Sequence, residues 1–226
     1  MPVFALAEAP VFPDPRRSAP DGLLAVGGDL SVERLVQAYA LGIFPWYGEG
    51  SPILWWSPPE RAVFLPGDGR LPRSARKALA RRPFEIRRDT RFAEVIAQCA
   101  RVPRAGQDGT WITEEMEAAY GALHAAGYAH SFEAYRDGEL MGGLYGVSLG
   151  AAFFGESMFS LEAYASRAAF QALLDTLAAW NFQLVDGQVP NANLETLGAR
   201  TISRAAFLDR LARALQVPTR RGSWAE

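Results

Sequence analysis

The sequence predicts an α+β fold in which one sheet is backed by helices. Three observations carry that expectation. Helical patterns come first, two period-two runs flank Asp137-Gly138, and a late strand pattern lies between two more helical ones. The chain has 226 residues, 49% hydrophobic and 21% charged, which suits one or two domains with a proper core and excludes a disordered or collagen-like chain.

Residues 10–22 are rich in proline, aspartate and arginine and read as irregular. Ser31 is placed as the N-cap of a first helix, with Leu35, Ala38 and Tyr39 at helical spacing and Gly42 as its stop. Residues 44–60 hold three of the six tryptophans within a Pro/Gly-rich stretch. The plain reading is a loop packed over the core as a lid. A small N-terminal domain is therefore placed at residues 1–60 and a main domain at 61–226.

Ser74 to Ala80 fit a short basic helix. Asp89 to Ala100 fit another, with Phe92, Val95, Ile96 and Cys99 on one face. Thr113 caps a third, which carries Glu114 and Glu115 in its first turn and ends at Gly127. HSFEAYR and ELMGGLYGVS form a hairpin about Asp137-Gly138, and Leu149-Gly150 turns the chain into AAFFGESMF. Ala165, Ala169, Leu173 and Leu177 recur every four residues, as in a helix laid on a sheet. FQLVDGQV reads as a strand compatible with a parallel return. Ser203 caps a last helix bearing Phe207, Leu208, Leu211 and Leu215.

No apolar run reaches the roughly 18 residues that a bilayer span needs. The N-terminus does not read as a secretory leader, and the one cysteine, Cys99, leaves no internal disulfide. The default expectation is a cytoplasmic, monomeric protein without a membrane partner. A net charge of −2 argues against wholesale wrapping of nucleic acid. The charge is uneven, however: Arg70, Arg73, Arg76, Lys77, Arg81, Arg82, Arg87 and Arg88 stand against Glu85 alone. That run is either a solvated face or a phosphate-binding patch.

No Walker loop or Rossmann glycine pattern is present. Gly155-Glu156-Ser157 begins like a nucleophile elbow, but Phe159 stands where the final glycine belongs. His124 and His130 read as structural or solvent-facing, and no residues stand at zinc-ligand spacing. With no convincing Ser–His or Cys–His pair, the chemistry is expected to rest on carboxylates, amides and backbone groups. Glu156 interrupts an apolar strand. Asp186 and Gln188, at alternate positions of FQLVDGQV, are expected to project from one face. Structural pairing and a functional site are both open readings of these three. Trp111 is either a core anchor or a stacking platform.

The sequence also resembles the bacterial leucyl/phenylalanyl-tRNA–protein transferases. The stretches that carry the resemblance are GLLAVGGDLSV (22–32), GIFPWY (42–47), PILWWSPP (52–59), GTWITE (109–114), GGLYGVS (142–148), FGESMFSL (154–161), DGQV (186–189) and LGAR (197–200). They run in order across nearly the whole chain. The resemblance implies an N-acetyltransferase-like mixed sheet flanked by helices, preceded by a small N-terminal domain. The acetyltransferase phosphate-loop pattern is absent, so no acetyl-CoA and no other cofactor is expected.

The resemblance further implies transfer of Leu, Phe or, less well, Met from aminoacyl-tRNA to proteins with an N-terminal Arg or Lys, marking them for degradation. It implies a catalytic set of Glu156, Asp186 and Gln188. Asp186 would orient or polarise Gln188, and Glu156 would stabilise the site or hold the acceptor amine. In one mechanism Gln188 draws the proton from the amine. In the preferred one the site orients the reactants and the terminal ribose hydroxyl helps shuttle the proton. Leu144, Phe153, Met158, Leu173, Leu177 and Val185 would line the amino-acid pocket, and Trp46 and Trp111 would stack on the terminal adenosine. Arg73, Arg76, Lys77, Arg81 and Arg82 would hold acceptor-stem phosphates. The rivals are an acyltransferase with a small acyl donor, a non-catalytic RNA-binding module, and arginyl transfer to acidic N-termini.

Overall fold

A computed structural model of the protein describes residues 3–102 and 111–225. Residues 109 and 110 of the GTWITE stretch lie outside them. Among the described residues, strands β1 (Phe4–Leu6), β2 (Leu23–Gly27), β3 (Phe44–Pro45) and β4 (Leu54–Trp56) form a four-stranded sheet in the order β1-β2-β4-β3. Helix α1 (Val32–Ala40) follows β2. Its cap is the expected Ser31, whose Oγ accepts from the Arg34 N–H at 3.3 Å. Arg34 is fully buried and ties this small domain together, donating to the carbonyls of Ala7 (2.9 Å) and Glu8 (2.8 Å) and to Asp29 (3.1 Å). Residues 44–60 are not an irregular lid: β3 and β4 pair within them, and Trp55 is fully buried.

From residue 60 the chain builds a second, seven-stranded sheet. Its strands are β5 (Glu60–Phe64), β6 (Glu85–Arg88), β7 (Ala129–Arg136), β8 (Glu139–Leu149), β9 (Ala152–Ser160), β10 (Leu184–Asp186) and β11 (Arg200–Ser203), in the order β11-β5-β10-β9-β8-β7-β6. The expected meander is β7-β8-β9, turning at Asp137 and Gly138, both with positive φ. Helix α5 (Ala165–Ala179) then crosses to β10, which pairs parallel with β9. The sheet is therefore mixed and helix-backed, as the N-acetyltransferase-like expectation requires.

Side-chain alternation along these strands makes two cores. On one face Tyr145, Phe154 and Leu184 meet α1, α3 (Phe92–Arg101), α4 (Glu114–Ala125) and α7 (Arg204–Ala214). On the other face Leu144, Phe153 and Val185 meet α2 (Arg73–Arg81) and α5. A short helix α6 (Ala192–Thr196) lies between β10 and β11. The first core takes in α1, so the small domain packs directly onto the main sheet. His130 is buried, bonded to Asp89 at 2.9 Å and stacked on Trp224. His124 bonds the Ala129 carbonyl at 2.8 Å and stacks on Phe92. Both histidines serve the scaffold.

Candidate active site

The site lies where two parallel strands part. β9 and β10 pair from Ala152–Leu184 to Phe154–Asp186. β9 then runs on to Ser160, while β10 ends at Asp186. Beyond the last pair, Gly155 and Glu156 face Gly187 and Gln188 across a gap, and two cavities meet there. Asp186 and Gln188 do not share a strand face. Gln188 lies past the strand end with φ 62°, a left-handed conformation that costs a non-glycine residue about 1–3 kcal/mol. Its backbone is fixed all the same: its carbonyl accepts from the Ala62 N–H at 2.9 Å, and Asp186 Oδ1 accepts its N–H at 2.9 Å.

Asp186 is fully buried and ion-paired with Arg61 of β5, whose Nε lies 3.2 Å from Asp186 Oδ1 and whose Nη2 bonds Oδ2. Arg61 also donates to the Gly42 carbonyl at 2.7 Å and lies over the Phe44 and Phe207 rings. The pair is thus enclosed and its charges offset each other. Asp186 bonds the Gln188 backbone, while the Gln188 side chain turns to Glu156, its Nε2 donating to Oε1 at 2.7 Å.

Glu156 is the centre of the cluster. Its Oε1 also accepts from the Tyr39 hydroxyl of α1 at 2.8 Å, and its Oε2 accepts from the Tyr120 hydroxyl of α4 at 3.0 Å. The two phenols bond each other as well. Burial pushes the Glu156 carboxyl up to about 7; the Tyr39 and Tyr120 hydroxyls pull the other way, the Asp186 charge adds to the rise, and the Gln188 amide lowers it. Burial, together with the Glu156 charge, pushes both phenols well above their usual value.

On the α5 side of the gap lies a cavity of about 330 Å³, lined by Leu144, Met158, Leu173 and Val185 together with the polar Glu156 and Asn191, among others. Phe153 is fully buried beneath, against Trp224 and under Gly146, where a Cβ would meet its ring at 2.6 Å. Leu177 faces a different hollow, beside α2. On the other side of the gap a cavity of about 270 Å³ has Trp46 and Trp111 in its walls, with Glu156, Gln188 and Asn191. Trp46 comes from the small domain and is 41% exposed. Arg73, Arg76, Lys77 and Arg81 stand exposed on α2, and Arg82 ends that helix 3.6 Å from Glu162. Among the described residues no cluster of three acidic, histidine or cysteine side chains could hold a metal, and no helix is long and apolar enough to cross a membrane.

Sequence reasoning missed Arg61, Tyr39, Tyr120 and Asn191 as members of the site. Arg61 stands after Glu60 at the start of strand ERAVF, and nothing in the sequence marks it as the partner of Asp186.

A helix-backed mixed sheet whose parallel strands part over an apolar cavity, with a polar cluster at the opening, is compatible with an acyl-group transferase, and the family comparisons place the chain in that class. The leucyl/phenylalanyl-tRNA protein transferase profile matches residues 63–212, and the profile of the N-terminal domain of the same enzymes matches residues 28–59. The leucyl/phenylalanyl-tRNA–protein transferase of Myxococcus xanthus (strain DK1622) is 55% identical over 228 residues, covering 100% of this chain and 97% of that protein. That of Desulfatibacillum aliphaticivorans is 54% identical over 224 residues, covering 99% and 96%. The chain belongs to the leucyl/phenylalanyl-tRNA–protein transferase family, a family of aminoacyltransferases. Among solved structures, L-PGS from Bacillus licheniformis aligns at TM-score 0.42 with 10% identity, over 85% of this chain and 73% of that one. A functionally unknown conserved protein from Staphylococcus epidermidis ATCC 12228 aligns at 0.39 with 11% identity, over 80% and 68%.

Proposed function

We propose that this protein moves a leucyl, phenylalanyl or, less well, methionyl group from aminoacyl-tRNA to the N-terminal Arg or Lys of an acceptor protein. The product would be marked for degradation. The observation that carries the reading is the meeting of an apolar cavity and a tryptophan-walled cavity at Gly155, Glu156, Gly187 and Asn191, with Gln188 in the wall of the second. An aminoacyl ester joins an apolar side chain to a flat adenosine through one reactive carbonyl, and this pair of cavities matches that shape. Leu144, Met158, Leu173 and Val185 would take the side chain. Trp46 and Trp111 would take the base by stacking. The basic face of α2 would hold stem phosphates without reading sequence.

The ester is already activated, so no ATP is needed, and positioning supplies much of the rate. Gln188, held by Asp186 through its backbone and by Glu156 through its side chain, orients the carbonyl and the incoming amine. An amide is a weak base, so Gln188 is assigned orientation rather than proton removal. Asp186 is neutralised by Arg61, but Glu156 when ionised has only phenols and an amide around it, which favours a cationic acceptor and speaks against arginyl transfer to acidic N-termini.

The test is incubation with radiolabelled Leu-tRNA, without ATP or CoA, beside acceptors that differ only in an N-terminal Arg, Lys or Ala. Label on the Arg and Lys acceptors alone is the expected result. A folded protein that binds the tRNA and transfers nothing is a non-catalytic RNA-binding module instead.

A further inference from the structure

Two phenols and one carboxyl meet in a closed triangle at the reaction centre, and the three contacts can be counted against the protons available. Tyr39 bonds Tyr120, Tyr39 bonds Glu156 Oε1 at 2.8 Å, and Tyr120 bonds Glu156 Oε2 at 3.0 Å. Each contact needs one proton. With Glu156 ionised only the two phenolic protons are present, so one contact lacks a proton. A proton added to Glu156 supplies the third. Glu156 Oε2 then donates to Tyr120, Tyr120 to Tyr39, and Tyr39 to Oε1, while Gln188 Nε2 still donates to Oε1.

From this geometry we infer that the Tyr39–Tyr120–Glu156 triangle is the proton acceptor of the transfer step, with Glu156 as the catalytic group and the two tyrosines as positioning residues that make room for its proton. The inference rests on the aminoacyl transfer proposed above. In the step, the neutral α-amine of the acceptor attacks the ester carbonyl and an N–C bond forms. The ester C–O bond to the tRNA ribose breaks. The proton leaves the amine nitrogen for Glu156 and is returned to the departing ribose oxygen through the neighbouring ribose hydroxyl, so the triangle ends with the two protons it began with. Gln188 moves no proton.

Tyr39 gives this arrangement a second consequence. It comes from α1 of the small domain, whereas Tyr120 and Glu156 belong to the main domain. The proton site is therefore complete only when the two domains are docked.

The titratable and charged groups around Glu156 can be named from each packed element: Tyr39 on α1, Tyr120 on α4 with Tyr145 of β8 against it, and Asp186 on β10 with its partner Arg61 on β5. Each phenol stabilises the ionised carboxylate by donating to it. Removing one hydroxyl also removes the phenol–phenol contact that lacks a proton when Glu156 is ionised. A charge-assisted bond is about twice as strong as a neutral one, however, so the lost donation outweighs that relief and the pH at which Glu156 ionises should rise.

The test is the pH profile of single-turnover transfer from Leu-tRNA by wild type, Tyr39→Phe and Tyr120→Phe, with thermal unfolding to show that each variant is folded. Either single variant keeps the remaining phenol bonded to Glu156. The acid limb of both variants is expected to move upward by about one pH unit, the usual weight of one hydrogen bond to a charged group. The acceptor's own amine titrates identically in all three and does not contribute to the difference. A 13C NMR titration of glutamate-labelled free protein, with Glu156→Gln identifying the signal, reads the same shift without turnover. Superimposed limbs and unmoved titrations, with wild type active, overturn this inference and leave the transfer reading standing. A wild type that transfers nothing overturns both.

Discussion

The Gln188 side chain bonds Glu156, not Asp186: its Nε2 lies 2.7 Å from Glu156 Oε1, while Asp186 holds only the Gln188 backbone N–H, at 2.9 Å. Asp186 directs its carboxylate chiefly to Arg61. The three polar residues singled out in the sequence thus divide into an opening, Glu156 with Gln188, and a buried anchor beneath it, Asp186 with Arg61.

The anchor should show in stability before it shows in chemistry. Asp186→Ala and Arg61→Ala each strand a buried charge and are expected to lower the unfolding free energy by about 3–5 kcal/mol. Asp186→Leu with Arg61→Met should cost far less than the sum of the single losses. Denaturant melts of the three variants check this. Loss of transfer in Asp186→Ala is accordingly read together with its melt.

The pocket should respond to size. Met158→Ala and Leu173→Ala enlarge the cavity and are expected to shift competition between Phe-tRNA and Leu-tRNA toward Phe by about tenfold, the scale set by one or two methylenes of fit. Leu173→Phe should shift it the other way. Leu177→Ala should leave the ratio unchanged, since Leu177 faces a different hollow. Mixed-substrate transfer assays with the two charged tRNAs give the ratios directly.

Much of the fold was legible because its signals are local. Ser31, Thr113 and Ser203 cap their helices, each hydroxyl accepting from the N–H three residues on, within 3.2–3.3 Å. The Asp137-Gly138 turn likewise carries its own geometry. Strands β5, β6 and β11 were not legible, because such short segments become strands only through neighbours supplied from elsewhere in the chain. In the site, the period-two reading ran through Asp186-Gly187-Gln188 as if the strand continued. The strand ends at Asp186, and Gln188 takes a left-handed φ that its residue type does not announce. Arg61 and Asp186 lie 125 residues apart, and Tyr39 and Glu156 lie 117 apart. No spacing rule connects such partners, so the cluster around Glu156 could be seen only once folded.

Stability should also depend on pH through Glu156. Its carboxyl is pushed from the usual 4.5 up to about 7 in the folded protein, so the folded state binds more protons than the unfolded one between those values. The contribution of this group is fully present below about 4.5 and is lost as pH rises toward 7. Comparing melts of wild type and Glu156→Gln from pH 4.5 to 7.5 isolates it: the difference should change with pH across that window and flatten above it.

Arg73→Ala, Arg76→Ala, Lys77→Ala and Arg81→Ala should each weaken tRNA binding to a similar degree whichever amino acid the tRNA carries. Each should also reduce the slope of log affinity against log salt by about one. Filter binding at several salt concentrations measures both. Arg82→Ala is expected to act less, because Arg82 already lies beside Glu162.

The central claim is that aminoacyl transfer takes place at the parting of β9 and β10, on Glu156 and Gln188. It is tested most directly by single-turnover transfer from Leu-tRNA to an N-terminal Arg acceptor, using wild type, Glu156→Gln and Gln188→Ala at matched tRNA binding and matched folding. The expected result is transfer slowed by about 10²-fold or more in both variants, the scale on which positioned polar groups act. Variants that bind the tRNA and transfer at the wild-type rate would contradict the account and place the chemistry elsewhere on the protein.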